Sequence, residues 1–297
     1  MENKLKGYSF VALSGILFGV IIFGGQIFTN IGLSLFELST LPYIFSLVFL
    51  FPFIIQKKFW VDKKNFFILI ILGIVEVFCT IFQFAGLVFG ASVAVVVLLL
   101  YAQPLWTTLI SHFFLKEKIN KWHIISCALV LFGVLFLINP LELFNSKNFL
   151  GIIAALLGGI FLSLWVVFGS LSSKKKINAI SIKFYVGVIS LVLLFLFFPL
   201  LSVFFSAPNI TNFSLSWPLW VWGSLIIYNL FAITLGHVLY FKGSEYIPTV
   251  SSGILLLLEP VVGVFLSIVF LSQPLTFSIL IGGALILSGN FIIITKA

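Results

Sequence analysis

Residues 98–104 read Leu-Leu-Leu-Tyr-Ala-Gln-Pro, and residues 254–260 read Ile-Leu-Leu-Leu-Leu-Glu-Pro. Laying Pro104 on Pro260 sets the two stretches at an offset of 156 residues. At that offset Leu115 falls on Leu271, Ile119 on Leu275 and Gly133 on Gly289. Earlier in each half, Gly15-x-x-x-Gly19 falls on Gly159-x-x-x-Ser163. Self-similarity at a fixed spacing marks a duplicated unit, here residues 1–140 and 148–297.

Of the 297 residues, 62% are hydrophobic and 8% charged, and the mean hydropathy is +1.29. A soluble domain carries about 25% charged residues, and one soluble core cannot hide this much apolar surface. A soluble enzyme, a secreted module and a disordered chain are therefore excluded. Ten apolar segments follow along the chain: 7–28, 35–55, 66–88, 91–115, 122–138, 149–171, 182–204, 217–240, 251–271 and 277–295. A membrane-spanning helix needs roughly 20 residues, so the fold class is an all-α membrane protein with ten transmembrane helices. The runs are continuous rather than alternating, which argues against a barrel. The first segment is long and lacks a small-residue cleavage site, so it reads as a retained helix.

There is no Arg, and the net charge of +8 comes from 16 Lys against eight acids. With the N-terminus and its Lys4 and Lys6 in the cytoplasm, Lys57, Lys58, Lys63, Lys64, Lys116, Lys118, Lys121, Lys174, Lys175, Lys176, Lys183, Lys242 and Lys296 fall on the same side. Only Lys147 is left outside. The positive-inside rule thus predicts a multi-pass protein of the cytoplasmic membrane with both termini cytoplasmic, and it explains the basic balance without a nucleic-acid partner. The loop after the first segment has no Lys, while its counterpart after the sixth has four. The loop after the second has four, and its counterpart after the seventh has none. Similar halves with opposite charge bias indicate two inverted five-helix repeats, the architecture of carriers that present one central site alternately to each side.

Ten helices, a five-plus-five inverted repeat and about this chain length resemble the drug/metabolite transporter superfamily, and more narrowly its EamA branch. The matching stretches are Ala91 to Phe136 and Pro248 to Ile292. The first carries Gln103-Pro104, Leu115-Lys116-Glu117 and Gly133; the second carries Leu258-Glu259-Pro260 and Gly289. The second departs at Leu271-Ser272-Gln273, where Gln stands in place of the usual Glu. The resemblance implies a carrier for amino acids, other metabolites or drugs, with an EamA-like repeat in each half.

Candidate site residues are the polar and aromatic groups at mid-membrane depth. Glu76 leads them, because an ionisable group there costs roughly 2.5–3.5 kcal/mol to insert and usually faces a cavity or partner. It is the expected proton-coupling residue. Gln83, two turns on, shares its helix face. Glu259 precedes Pro260, whose missing N–H frees a carbonyl one turn back and bends the helix; Gln103 is its first-half counterpart. Gln26, Tyr101, Trp106, Trp165 and the Tyr228-Asn229 pair complete the expected substrate-binding set, lining a cavity from helices 1, 3, 4, 6, 8 and 9. Trp60, Trp122, Trp217 and Trp220 read as an interfacial belt, and Cys79 and Cys127 as buried bystanders. His112, His123 and His237 are well separated, with no metal-type pair, and no cofactor motif or catalytic constellation is present.

The function expected is a secondary transporter, monomeric or homodimeric, whose partners are a small-molecule substrate and the lipid bilayer. The alternatives are a passive facilitator or exchanger of metabolites, and a membrane-embedded lipid-modifying enzyme. Because no Lys lies near the middle of any predicted helix, the expected substrate is neutral, zwitterionic or cationic, of the amino-acid or amine class. An anionic phosphate would want fixed positive charge at close quarters.

Overall fold

A backbone surrounded by lipid has no water to satisfy its N–H and C=O groups, so each apolar run must close its hydrogen bonds within itself. The computed structural model describes residues 2–102, 105, 106, 108, 119–138, 148–204, 207–247 and 249–296, and the regular elements among them are all helical. They are α1 (Glu2–Ile31), α2 (Leu35–Ile54), α3 (Lys63–Val88), α4 (Val93–Leu100), α5 (Lys121–Ile138), α6 (Phe149–Lys174), α7 (Ala179–Phe204), α8 (Leu219–Ser244), α9 in two pieces (Thr249–Leu256 and Leu258–Leu271) and α10 (Phe277–Lys296). Among the described residues eight helices are long and apolar enough to cross a membrane, and Phe277–Ile292 is a shorter apolar stretch. Gln103, Pro104, His112, Leu115, Lys116, Glu117, Lys118, Lys147 and Pro248 lie outside the described residues.

Local chemistry sets the ends. α1 stops at Gly32 (φ +108°) and α3 at Gly90 (φ +88°), left-handed positions that glycine enters without a Cβ penalty. Ser34 and Ser92 then cap α2 and α4 through their hydroxyls. α7 begins earlier than the apolar run suggests: Asn178 Oδ1 accepts from the Ile180 N–H at 2.9 Å, so the helix opens at Ala179 and takes in Lys183.

The helix pairings repeat when each is shifted by five. α1 packs on α8 and α9, as α6 packs on α3 and α4; α2 pairs with α7, and α5 with α10. The carbonyls that glycines approach at these contacts are spaced by the offset read from the sequence. A Cβ on Gly15 would lie 2.8 Å from the Leu255 carbonyl, and one on Gly159 would lie 3.1 Å from the Leu99 carbonyl. Leu99 and Leu255 are 156 residues apart. Gly133 approaches the Gly282 carbonyl in the same way, and Gly289 that of Ser126. Without a hydrophobic drive between helices in lipid, such close backbone approach supplies the van der Waals contact. α4 lies deepest, with Val93, Val96, Val97 and Leu99 fully buried, while Leu196, Leu200, Val203, Phe265 and Phe270 stand exposed along α7 and α9.

Opposite ends of the bundle differ chemically. Lys58, Asp62, Lys176, Lys242 and Glu245 gather at one end; Gln26, Asn30, Ser92, Asn148 and Gln273 gather in another cleft. The junction between α2 and the α7–α8 connection is built on Glu37, a fully buried acid. Its carboxylate accepts from the N–H groups of Ser34 and Ser214 and from Trp217 Nε1, each at 2.8 Å. Trp217 therefore anchors a loop as well as sitting near an expected interface. Glu37→Ala leaves those three donors without an acceptor, and unfolding in detergent is expected to show a loss of about 3 kcal/mol or more; a loss under about 1 kcal/mol would mean that water replaces the carboxylate.

Candidate substrate site

Two discontinuities carry side chains into the middle of the bundle. α8 is α-helical to Tyr228, widens into a π-helical segment at Asn229–Leu235 and returns to α-helix at Gly236; such segments recur at functional sites. It aims Ile233 and His237 inward. α9 breaks at Leu257, between its two pieces. Pro260 has no N–H to give the Leu256 carbonyl one turn back, and the Tyr101 hydroxyl reaches that carbonyl instead, at 2.6 Å.

Among these helices lies a cavity of about 60 Å³, lined from α1, α2, α3, α6, α7, α8 and α9 and by Tyr101 at the end of α4. That is room for a few waters, so a substrate requires the walls to part. Its charged centre is Glu76. Lys183 Nζ lies 2.7 Å from Glu76 Oε1, Trp165 Nε1 donates to Glu76 Oε2 at 3.1 Å, and His237 Nε2 lies 3.9 Å from Oε1. His237 Nδ1 is 2.7 Å from the Ile233 carbonyl, which only accepts, so the Nδ1–H donates there. Lys183 Nζ also lies 5.2 Å from the centre of the Tyr43 ring, whose hydroxyl pairs with Thr80 Oγ1 at 2.8 Å. Phe18, Trp165, His237 and Tyr240 form a continuous aromatic wall, with ring centres 4.9 to 6.3 Å apart. On the α4–α9 side, Tyr101 Oη is 3.0 Å from Glu259 Oε2, and Asn290 Nδ2 donates to the Tyr101 carbonyl at 2.7 Å.

Five of the nine residues singled out from the sequence, Glu76, Gln83, Tyr101, Trp165 and Glu259, line this cavity. Four do not. Gln26 lies in the separate polar cleft and donates to Asn30 Oδ1 at 2.9 Å. Trp106 packs by Gly159, where a Cβ would lie 3.4 Å from its Nε1. Tyr228 folds over Gly24 of α1 and donates to the Ile21 carbonyl at 2.7 Å. Asn229 is fully buried and its Nδ2 donates to the Leu225 carbonyl in its own helix. Helix rotation turns Trp106, Tyr228 and Asn229 into packing and Gln26 into the polar cleft.

Lys183, His237 and Tyr43 were missed, and α2 and α7 with them. Lys183 had been counted among the loop lysines. It is 1% exposed and inside α7, which corrects the premise that the interior charges are acidic alone. The signal was Asn178 as a helix cap, which puts Lys183 more than one turn into the apolar run. His237 gives no metal-type spacing in the sequence, and the π segment brings it to the cavity.

Breaking a buried pair by removing one partner costs about 3–5 kcal/mol, because the other charge is left uncompensated. Lys183→Met is expected to cost that much in detergent unfolding, and Glu76→Gln combined with Lys183→Met less than Lys183→Met alone. Additive losses in this double-mutant cycle would mean that the two side chains do not interact.

A family model described as "EamA-like transporter family" matches residues 5–139 and again residues 149–295. An uncharacterized transporter of Clostridium kluyveri is 25% identical over 97% of this chain and 92% of its own length. The uncharacterized transporter YetK of Bacillus subtilis is 28% identical over 82% of this chain and 73% of its own. A crystal structure whose description names no activity shares the fold at 16% identity, with a TM-score of 0.59 over 98% of this chain and 97% of that one.

Proposed function

We propose that this chain, which belongs to the EamA-like transporter family, is a secondary transporter of small zwitterionic metabolites of the amino-acid class. The observation that carries the reading is the Glu76–Lys183 pair inside the cavity. A zwitterion exchanges that one pair for two, its ammonium on Glu76 and its carboxylate on Lys183. The desolvated site then stays neutral whether empty or full. A simple cation or anion would leave a net charge in a poorly screened interior, where it costs several kcal/mol. The zwitterion is accordingly favoured within the neutral, zwitterionic or cationic range expected from the sequence. Phe18, Trp165 and Phe84 in the walls suit an apolar or aromatic side chain on the substrate.

Alternating access is supported by the helix pairings that recur on a shift of five and by the glycine contacts at the 156-residue offset. The two stretches matched by the family model support the division into repeats at 1–140 and 148–297. Inverted repeats place one site at their interface and rock around it, and Glu76 and Lys183 come from different halves. Proton gradients are the proposed driving force. The acid expected to carry the proton was Glu76, but its 2.7 Å contact with Lys183 gives the carboxylate a fixed counter-ion, and protonating it would strand a buried ammonium. We assign Glu76 to substrate.

The test is counterflow in proteoliposomes with three competitors that share one side chain: an amino acid, the amine that lacks its carboxylate and the acid that lacks its amino group. Each truncation removes a charge-assisted contact of about 1.5–3 kcal/mol, so the amino acid is expected to compete at least about 10-fold better than either. Equal competition by the amine would overturn the zwitterion reading. Topology has its own test: reporter tags at Lys147 and Lys175 should fall on opposite sides of the membrane, with both termini on the Lys175 side. Both tags on one side would remove the inverted repeat.

A further inference from the structure

We infer that Glu259 is the proton-binding carboxyl of the transport cycle, and that Tyr101 links its proton to the break in α9. The inference rests on the transporter reading above and adds to it the site of coupling.

Tyr101 has one hydroxyl proton and two acceptors in reach: the Leu256 carbonyl at 2.6 Å and Glu259 Oε2 at 3.0 Å. The Leu256 carbonyl is the one that Pro260 leaves without a main-chain donor. Buried carbonyls are rarely left unpaired, so the Tyr101 proton is committed there. Both contacts are hydrogen bonds only when Glu259 carries a proton of its own and donates it to Tyr101 Oη. An ionised Glu259 would draw the Tyr101 proton to itself, because charge-assisted hydrogen bonds are the stronger ones. Two oxygen lone pairs would then face each other at 2.6 Å, and the Leu256 carbonyl would have to move. Gain and loss of one proton at Glu259, from and to the cavity, thus switches the Tyr101 donor between Leu256 and Glu259 and changes the joint between α4 and α9.

The surroundings suit a carboxyl that is neutral in this conformation. Glu259 is 7% exposed, and among the described residues it has no Lys or His within ion-pairing distance. α1 meets this part of α9 with Gly15 and Gly19, and α10 contributes Asn290 to the Tyr101 carbonyl. The titratable groups that line the cavity with Glu259 are Tyr101 at the end of α4, Cys79 and Glu76 of α3, Tyr43 of α2, Lys183 of α7 and His237 of α8. Lys183 is held at Glu76, and His237 lies on the same side. The aligned first-half residue is Gln103, an amide that binds no proton, so one repeat alone carries the switch.

Infrared spectra of the purified full-length protein test this directly. The C=O band of a buried protonated carboxyl is expected in the wild type and in Glu76→Gln. It should be absent in Glu259→Gln and shifted in Tyr101→Phe, which removes only the hydroxyl and serves where the Gln variant does not fold. In proteoliposomes, substrate accumulation under an imposed proton gradient is expected to collapse to the equilibrium ratio in Glu259→Gln. A band that persists in Glu259→Gln, a band unmoved in Tyr101→Phe or accumulation retained in Glu259→Gln overturns the proposal. The spectra need no substrate, so a failure of amino-acid counterflow would count against the zwitterion reading alone.

Discussion

A carboxylate and an ammonium held 2.7 Å apart within a bundle of membrane-spanning helices are the interaction around which the rest of this structure is arranged. Each charge has given up most of its hydration, and the pair is tolerable only if further groups answer the remaining lone pairs and protons. Trp165 Nε1 answers the second carboxylate oxygen, and the face of Tyr43 receives part of the ammonium charge. Because Glu76 lies in α3 and Lys183 in α7, these contacts hold only while the helices stay in register. The glycine approaches of α1 on α9 and of α6 on α4 supply that register, since a Cβ at Gly15 or Gly159 would push the helices apart.

Irregular backbone is concentrated where these helices meet the cavity. The π segment of α8 and the break in α9 expose backbone groups that lipid could not satisfy, and both face protein instead. At the break in α9 the group that satisfies the freed carbonyl also lines the cavity, Tyr101 donating to that of Leu256; in the π segment His237 donates to the Ile233 carbonyl, which accepts from the Gly236 N–H as well. Tyr101 thus both completes the main-chain hydrogen bonding of α9 and lines the cavity. At the far end of α2, Glu37 plays a simpler part, holding a loop through three N–H groups.

The site was legible where depth alone decides a residue's fate. Glu76 and Glu259 could not face lipid without a cost of roughly 2.5–3.5 kcal/mol, and both line the cavity. Tyr228 and Asn229 carry no charge and are cheaper to bury anywhere, and each donates to a carbonyl close by, Tyr228 to that of Ile21 and Asn229 through Nδ2 to that of Leu225. Polarity therefore says nothing about which way they turn. Lys183 was hidden by its position near a helix end. There the positive-inside rule treats any lysine as a loop charge, and a four-carbon stem lets the head group travel well away from its own backbone.

Composition and the spacing of apolar runs determined by themselves that this chain is a membrane protein made of helices, because a bilayer admits few other ways to satisfy a backbone. The 156-residue offset predicted which segments correspond, and Gly133 and Gly289, which it pairs, each approach a carbonyl of a neighbouring helix, those of Gly282 and Ser126. Tertiary structure alone decided which charges meet. An earlier start to α7 set Lys183 a full turn inside the helix, a π segment turned His237, and a proline left a carbonyl for Tyr101 to reach. The helix start is local, but the Lys183–Glu76 and Tyr101–Leu256 contacts join residues more than 100 positions apart, and no local pattern along the chain encodes them.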